Sequence, residues 1–293
     1  MIKFIFLVAS RLPLWLLHGA GATLGRLIYG FSRSYRRNLD ANLAQAGYTD
    51  SATREAAIRE AGKAMAELPA IWLLPPARVA KLVVDARGWE WVERAHAVGA
   101  PIVFLTPHLG CFEITAQYYA WRAPVGKPIT VLYRRPRKAA LTPLIESGRG
   151  RDNMKLASAD FAGVRALIRA LRRGESAGVL PDQTPHVGEG VLAPFFGRPA
   201  YTMTLVKRLI RASDATLLLA WAERLPGGAG YRLTIRPFGA ALAHGMTEAV
   251  TQINAALESL IRECPTQYLW SYDRYRLPQT EPRPAPRTQE AAR

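Results

Sequence analysis

Residues 101–113 read PIVFLTPHLGCFE, an apolar run followed by a proline, a histidine and a glycine. The first six of these residues, 101–106, are rich in strand-forming side chains and carry no charge, which is typical of a strand covered on both faces. Such a strand belongs to a sheet with helices on each side. The stretch therefore predicts an α/β fold and places His108 directly after the carboxyl end of a strand.

The rest of the chain alternates between helix and strand patterns. Helices are predicted at residues 51–68, 158–173 and 247–263, and further strands at residues 129–133, 177–180, 215–222 and 231–236. This alternation predicts a single α/β domain with a central, mainly parallel sheet flanked by helices.

The composition is that of a folded, basic protein. The chain has 293 residues, of which 49% are hydrophobic, so it can bury a sizeable core, and disorder of most of the chain is excluded. The 39 Lys and Arg residues exceed the 23 Asp and Glu residues by 16. This excess favours a polyanionic partner: nucleic acid, an anionic membrane surface or an acidic carrier protein. Cys111 and Cys264 lack the spacing of a metal site and are expected to be reduced thiols in or near the core.

Residues 1–31 are mostly apolar and indicate contact with a membrane. As a single helix they would be long enough to cross a bilayer, but Arg11 would be costly at the midplane. A tilted, shallow or partly inserted anchor therefore fits better than a full span, and an ordinary buried first helix is the alternative. Arg33, Arg36 and Arg37 follow closely, and positive charge beside an apolar segment marks the cytoplasmic side of a membrane.

His108 is the histidine with the most informative surroundings. Ligands of open α/β sheets bind just past the carboxyl ends of strands, where a strand, a turn and a helix would place His108. Glu113 would lie in the first turn of the next helix, where it can accept a hydrogen bond from one ring nitrogen and leave the other to take a proton from a hydroxyl. The spacing predicts a general base with its orienting group, and a structural histidine is the alternative.

Seven segments, taken in order, resemble the lipid A biosynthesis acyltransferases, a family within the glycerolipid acyltransferase superfamily. The segments are SYRRNL at 34–39, TPHLGCFE at 106–113, VLYRRP at 131–136, RALRRGE at 169–175, LPDQTP at 180–185, APFFGRPA at 193–200 and QYLWSYDRY at 267–275. The resemblance extends from the N-terminal segment to about Pro278. It implies a catalytic domain at 32–277 that follows a membrane anchor helix at 1–31. The composition after Leu277, with four prolines, three arginines and few apolar residues, predicts a disordered tail at 278–293.

The resemblance also implies a role for each matching residue. His108 would be the general base, and Glu113 would be its orienting carboxylate. Asp182 would order an arginine or bind the acceptor. The candidate cations for a phosphate or a developing oxyanion are Arg134, Arg135, Arg149 and Arg151.

Phe195 and Phe196 have two interpretations. They could line a groove for an acyl chain, or they could simply pack within a loop, as adjacent aromatic residues beside proline and glycine often do. A basic cluster that includes Arg134 and Arg135 could steer an acidic carrier protein toward the site or be a solvated face.

The implied activity is transfer of a fatty acyl chain from acyl carrier protein to a hydroxyl of a lipid A precursor. The expected setting is the cytoplasmic face of the bacterial inner membrane, with no metal, no cofactor and no nucleic acid partner. Two alternatives stay open: the same chemistry on another acceptor, such as a lysophospholipid, an ornithine lipid or another glycolipid, and a non-catalytic basic protein that binds membranes or nucleic acid.

Overall fold

The structure is a computed structural model that describes residues 2–133, 148, 150 and 152–278. Within these ranges the strands are β1 (Val83–Arg87), β2 (Ile102–Leu105), β3 (Ile129–Tyr133), β4 (Met154–Ser158), β5 (Ser176–Val179), β6 (Gly190–Phe195), β7 (Arg198–Met203), β8 (Thr216–Arg224) and β9 (Tyr231–Pro237). The α-helices in the same ranges are α1 (Ile2–Ser10), α2 (Leu14–Phe31), α3 (Arg33–Gln45), α4 (Ser51–Ala66), α5 (Leu68–Leu73), α6 (Pro76–Lys81), α7 (Trp89–Ala97), α8 (Phe112–Arg122), α9 (Phe161–Arg172), α10 (Leu205–Ser213) and α11 (Met246–Glu263).

The central sheet has the strand order β1-β9-β8-β2-β5-β3-β4 in the described part of the chain. The five strands from β8 to β4 are parallel, whereas β9 is antiparallel to β8 and parallel to β1. β6 and β7 form a separate antiparallel hairpin. The α/β domain with a mainly parallel sheet that the sequence predicts is confirmed.

The predicted elements form where their local signals place them. All four residues of β2 are buried, as expected for a strand in the middle of a sheet that is covered on both faces. The side chain of Asp160 accepts a hydrogen bond from the backbone N–H of Gly163 and so caps the start of α9. Gly174, with φ of +73°, follows the end of this helix.

Helices cover both faces of the sheet and enclose two apolar cores. The first core lies on the face covered by α6, α7 and α8 and includes Val79, Val92 and Ile114. The second lies on the face covered by α9, α10 and α11 and includes Leu167 and Leu209, together with other apolar side chains. The candidate site described below lies where these layers meet the carboxyl ends of the parallel strands.

The N-terminal residues form two helices rather than the one that the sequence predicts. Pro13 stands before α2, and its ring lacks the backbone N–H that a continuous helix would need, so α1 ends before it. α2 packs directly on α4, where a Cβ added at Gly62 would overlap the carbonyl oxygen of Gly21. Among the residues that the structure describes, no helix combines the length and apolar character needed to cross a bilayer.

A buried polar cluster joins α2 to the sheet. The carboxylate of Glu67 accepts hydrogen bonds from Nε and Nη2 of Arg224, both at 2.8 Å, and from the hydroxyl of Tyr231 at 2.9 Å. Nε2 of His18, on α2, lies 3.1 Å from the same carboxylate. Burial alone would raise the pKa of Glu67, but the Arg224 guanidinium holds it well below its ordinary value. The cluster is therefore an ion pair that holds α2, the start of α5 and two strands together.

Candidate active site

The candidate site lies at the carboxyl ends of β2 and β5. These two strands are parallel neighbours, with Leu105 paired to Val179, so the chain leaves both strands at the same edge of the sheet. His108 follows the end of β2 by three residues, and Asp182 follows the end of β5 by three residues. The adjacency of the two strands brings together residues that are far apart in the sequence.

The carboxylate of Asp182 holds His108 at two points. Nδ1 of the imidazole lies 2.8 Å from Oδ1, and the backbone N–H of His108 donates to Oδ2 at 2.9 Å. Burial alone would raise the pKa of Asp182, but the charge and hydrogen bonds of His108 keep this pKa below its ordinary value. The ionised carboxylate fixes the ring orientation and favours the tautomer with its proton on Nδ1.

The other ring nitrogen, Nε2, is directed at a cavity. The side-chain amide nitrogen of Gln183 lies 3.1 Å from Nε2, and both residues line the cavity wall. With Nδ1 protonated, Nε2 is an acceptor that can bind the Gln183 amide or a hydroxyl group in its place. The neighbouring hydroxyl of Thr184 is buried in the same wall and has no hydrogen-bond partner among the described residues.

Glu113 does not make the contact with His108 that the sequence predicts. Its Oε2 accepts a hydrogen bond from the indole Nε1 of Trp72 at 3.1 Å, while Asp182 occupies Nδ1 of His108. The reason is geometric: α8 begins at Phe112, so Glu113 is in its first turn beside α5, whereas Asp182 approaches from the adjacent strand. Glu113 still lines the cavity together with His108.

The cavity has a volume of about 300 Å³ and lies between α8 and the sheet. Its sheet side includes Phe104, Gly178 and Ala220, which come from three adjacent strands. Gly178 provides space at this point, because an added Cβ would lie 2.9 Å from Cγ1 of Val131. The volume is at the lower end of the range of about 300–1,000 Å³ that is usual for ligand pockets. The mainly apolar wall is suited to a hydrocarbon chain.

Tyr119 closes the cavity at the end away from His108. Its hydroxyl donates to the carbonyl of Lys127 at 3.1 Å and lies 2.7 Å from Oγ of Ser176, the first residue of β5 and therefore at the opposite edge of the sheet from the site. The ring packs on Phe104, with 5.3 Å between the ring centroids. Burial raises the pKa of Tyr119 to about 12, so its hydroxyl stays protonated. These contacts hold the ring of Tyr119 in place in the cavity wall.

The two predicted acyl-groove residues lie elsewhere. Phe195 and Phe196 are buried in the core on the other face of the sheet, where Phe195 packs on Tyr268 and Phe196 packs on Trp270. Neither ring is among the residues that line the cavity, and both pack in the core instead of lining the expected acyl groove. The turn between β6 and β7 directs both rings at α11 and the segment that follows it, away from the cavity.

The four candidate cations cannot be placed in the site. Arg134, Arg135, Arg149 and Arg151 lie outside the residues that the structure describes. In the described ranges there is no cluster of three or more His, Cys, Asp or Glu side chains that could hold a metal ion.

The fold and the site define an α/β protein in which a carboxylate-oriented imidazole lies at the mouth of an apolar cavity, an arrangement suited to acid–base chemistry next to an apolar ligand. Comparison with protein families is more specific. Residues 1–277 match the model of the bacterial lipid A biosynthesis acyltransferase family, and the chain belongs to this family.

Three relatives from Escherichia coli (strain K12) illustrate the similarity. A lipid A biosynthesis palmitoleoyltransferase is 27% identical over 219 residues, which cover 74% of this chain and 69% of the relative. A lipid A biosynthesis lauroyltransferase is 26% identical over 277 residues, covering 91% of this chain and 87% of the relative. A lipid A biosynthesis myristoyltransferase is 25% identical over 257 residues, covering 85% of this chain and 77% of the relative.

Proposed function

We propose that this protein transfers a fatty acyl chain from the thioester of acyl carrier protein to a hydroxyl group of a lipid A precursor. The observation that carries the proposal is the His108–Asp182 pair at the mouth of an apolar cavity, in a chain of the lipid A acyltransferase family. The hydroxyl needs a base, which Nε2 of His108 can provide. The acyl chain needs an apolar site, which the cavity provides.

In the proposed reaction His108 acts first as a base and then as an acid. Nε2 takes the proton from the acceptor hydroxyl while the oxygen attacks the thioester carbonyl, and Asp182 stabilises the resulting imidazolium. The tetrahedral intermediate then collapses with breakage of the C–S bond. The imidazolium returns the proton to the thiolate, so the products are an ester and the free thiol of the carrier.

The oxyanion of the intermediate requires hydrogen-bond donors close to Nε2. Thr184 is a candidate because its buried hydroxyl has no partner among the described residues and lies in the cavity wall. The four arginines that the sequence singles out, Arg134, Arg135, Arg149 and Arg151, remain candidates for the oxyanion or for a phosphate of the acceptor. Glu113 is in the same wall, and we assign it to contact with the substrate rather than to orienting the imidazole of His108.

We further propose that α1 and α2 hold the site at the inner membrane, on its cytoplasmic face. Large apolar side chains of both helices are exposed, among them Phe4 at 70% and Trp15 at 62%. Phe6 of α1 stacks on Trp72, whose indole binds Glu113 in the cavity wall. Trp72 therefore connects α1 to the cavity wall. This arrangement would bring a lipid acceptor from the bilayer surface to His108.

A transfer assay tests the proposal. The purified full chain is incubated with acyl carrier protein charged with a saturated fatty acid and with a lipid A precursor, and the lipids are analysed by mass spectrometry. We expect the precursor to gain the mass of one acyl chain, and lysophospholipid and ornithine lipid acceptors to stay unmodified. Transfer to one of those lipids in place of the precursor would contradict the proposed acceptor, and the absence of any transfer would contradict the proposed activity.

A further inference from the structure

Two neighbouring helices present a row of arginines to solvent. On α9, Arg165, Arg169 and Arg172 are exposed and follow one another at helical spacing, opposite the buried Leu167 and Leu171. On α10, Arg208 and Arg211 are exposed, opposite the buried Val206 and Leu209. The two helices pack side by side on one face of the sheet. We call the five exposed arginines the arginine surface.

Within the described chain the arginine surface has no salt-bridge partners. Neither α9 nor α10 contains an Asp or Glu residue. None of the five arginines forms a salt bridge with a residue that the structure describes. The acids that flank the helices are Asp160, Asp214 and Glu175. Asp160 is hydrogen-bonded to Gly163 and Ser158 at the start of α9, and Glu175 pairs with Lys155 and Arg173. Five like charges that have no salt bridge to a described residue produce a positive field that attracts an anionic macromolecule.

The arginine surface begins beside the cavity. Ala159, just before α9, and Met203, just before α10, both line the cavity wall. At about 1.5 Å per residue, Arg165 lies about 6 Å along α9 from its first residue, and Arg208 about 5 Å along α10 from its first residue. A partner that docks on this surface would therefore be close to the site where the acyl chain must enter.

The distribution of apolar residues separates this surface from the lipid-facing part. Helices that bind a bilayer combine basic residues with large exposed apolar side chains. In the described chain α9 and α10 expose one large apolar residue, Phe161, whereas α1 and α2 expose several, including Phe4, Leu7 and Trp15. A folded acidic protein therefore fits the arginine surface better than a bilayer does.

We propose that the arginine surface is the docking site for the acidic face of the acyl carrier protein. This inference rests on the proposed function, since it identifies where the donor of that reaction binds. Docking on α9 and α10 leaves α1 and α2 free for the membrane, so that donor and acceptor approach the cavity from different sides.

Charge reversal tests the docking site. The variant carries Arg165→Glu, Arg169→Glu and Arg208→Glu. A matched control, with the same change in net charge, carries Arg78→Glu, Lys81→Glu and Arg94→Glu, three exposed residues of α6 and α7 on the opposite face of the sheet.

Two quantities are measured on the full chain. The first is the Kd for acyl carrier protein without turnover, and the second is the ratio of kcat/KM for the acyl carrier donor to that for the same acyl group on pantetheine. We expect the arginine variant to raise the Kd about tenfold or more, and to lower the ratio correspondingly through KM, with much smaller effects in the control. Equal Kd values and equal ratios in the two variants would overturn the proposal.

Two further outcomes are distinguishable. If the arginine variant loses binding to phosphatidylglycerol vesicles but keeps its affinity for the carrier, the surface faces the bilayer, and the proposal is overturned. If the unmodified protein transfers acyl groups from neither donor, the proposed function fails, while the Kd for the carrier still decides whether the arginine surface binds it.

Discussion

Two carboxylates lie near the imidazole of His108, and only one of them holds its Nδ1. Because Asp182 makes that hydrogen bond, Asp182→Asn should disturb the tautomer and the orientation of the ring. We expect kcat for acyl transfer to fall about 10²- to 10⁴-fold, the usual contribution of a positioned general base. Glu113→Gln, which removes a charge from the same cavity, should lower kcat less. A larger loss in Glu113→Gln than in Asp182→Asn would restore the role that the sequence predicts for Glu113.

We expect the ring of Tyr119 to limit the length of the acyl chain that the cavity accepts. We expect Tyr119→Ala to extend the cavity and shift the preference of kcat/KM toward longer acyl donors, since one methylene in a fitted apolar pocket changes kcat/KM by about 10- to 200-fold. The measurement is kcat/KM over a series of saturated acyl thioesters. Tyr118→Ala is the control, because Tyr118 is the neighbouring residue on α8 and is also buried, but it is not among the residues that line the cavity. The same length preference in both variants would show that Tyr119 does not limit the chain.

Half of the His108–Asp182 pair could be predicted from the sequence. His108 follows an unmistakable buried strand, and its position past the strand end is readable from residues 101–113 alone. Its partner could not be assigned, because Asp182 follows β5, and two other strands lie between β2 and β5 in the sequence. Only the strand order of the folded sheet, in which β5 is the neighbour of β2, brings the carboxylate to Nδ1. The sequence instead predicts Glu113 as the carboxylate that orients the ring, because Glu113 is close to His108 in the sequence.

The buried cluster around Glu67 joins the N-terminal helices to the sheet. Glu67→Gln would remove the negative charge that pairs with the guanidinium of Arg224 in the core. We expect the free energy of unfolding to fall by about 3 kcal/mol at pH 7, measured by denaturant unfolding, since breaking a buried ion pair typically costs about 3–5 kcal/mol. Glu55→Gln removes an exposed partner of Arg26 and should cost less than about 1 kcal/mol. Similar losses in the two variants would contradict this account.

The pH dependence of the Glu67 effect has a defined sign. The pKa of Glu67 is lowered by folding, so its contribution to stability is complete above about pH 4.5, its ordinary value, and is lost as the pH falls further. The difference in unfolding free energy between the wild type and Glu67→Gln should therefore narrow on acidification below that pH. A difference that widens under the same conditions would mean that Glu67 is not ionised in the folded protein.

The elements that the sequence predicts are those whose signals are local. Asp50 and Asp160 cap α4 and α9 as their positions suggest, and the apolar runs at β2, β3, β5, β8 and β9 form strands. β1 and β4 were missed because both contain exposed polar residues at the edges of the sheet. The hairpin of β6 and β7 was missed as well. Its glycine- and proline-rich sequence indicates a loop, and it pairs only within itself.

We expect the exposed apolar residues on α1 to anchor the whole molecule to lipid. Replacing Phe4, Ile5 and Val8 with Ser should lower co-sedimentation with phosphatidylglycerol vesicles about tenfold or more, because burial of each apolar side chain contributes about 1.5–3 kcal/mol. The control replaces Val84, Val98 and Val125 with Ser, three exposed valines away from α1. Equal loss of vesicle binding in both variants would contradict a lipid-binding role for α1.

The most direct test of the whole account compares two histidines in one assay. His108→Gln and His244→Gln are purified as full chains, and kcat for transfer from acyl carrier protein to the lipid A precursor is measured by mass spectrometry. His108 lies at the cavity mouth, whereas His244 is exposed in the loop before α11. We expect His108→Gln to lose at least about 10²-fold in kcat and His244→Gln to match the wild type. Turnover by His108→Gln close to that of His244→Gln would contradict the assignment of His108 as the base.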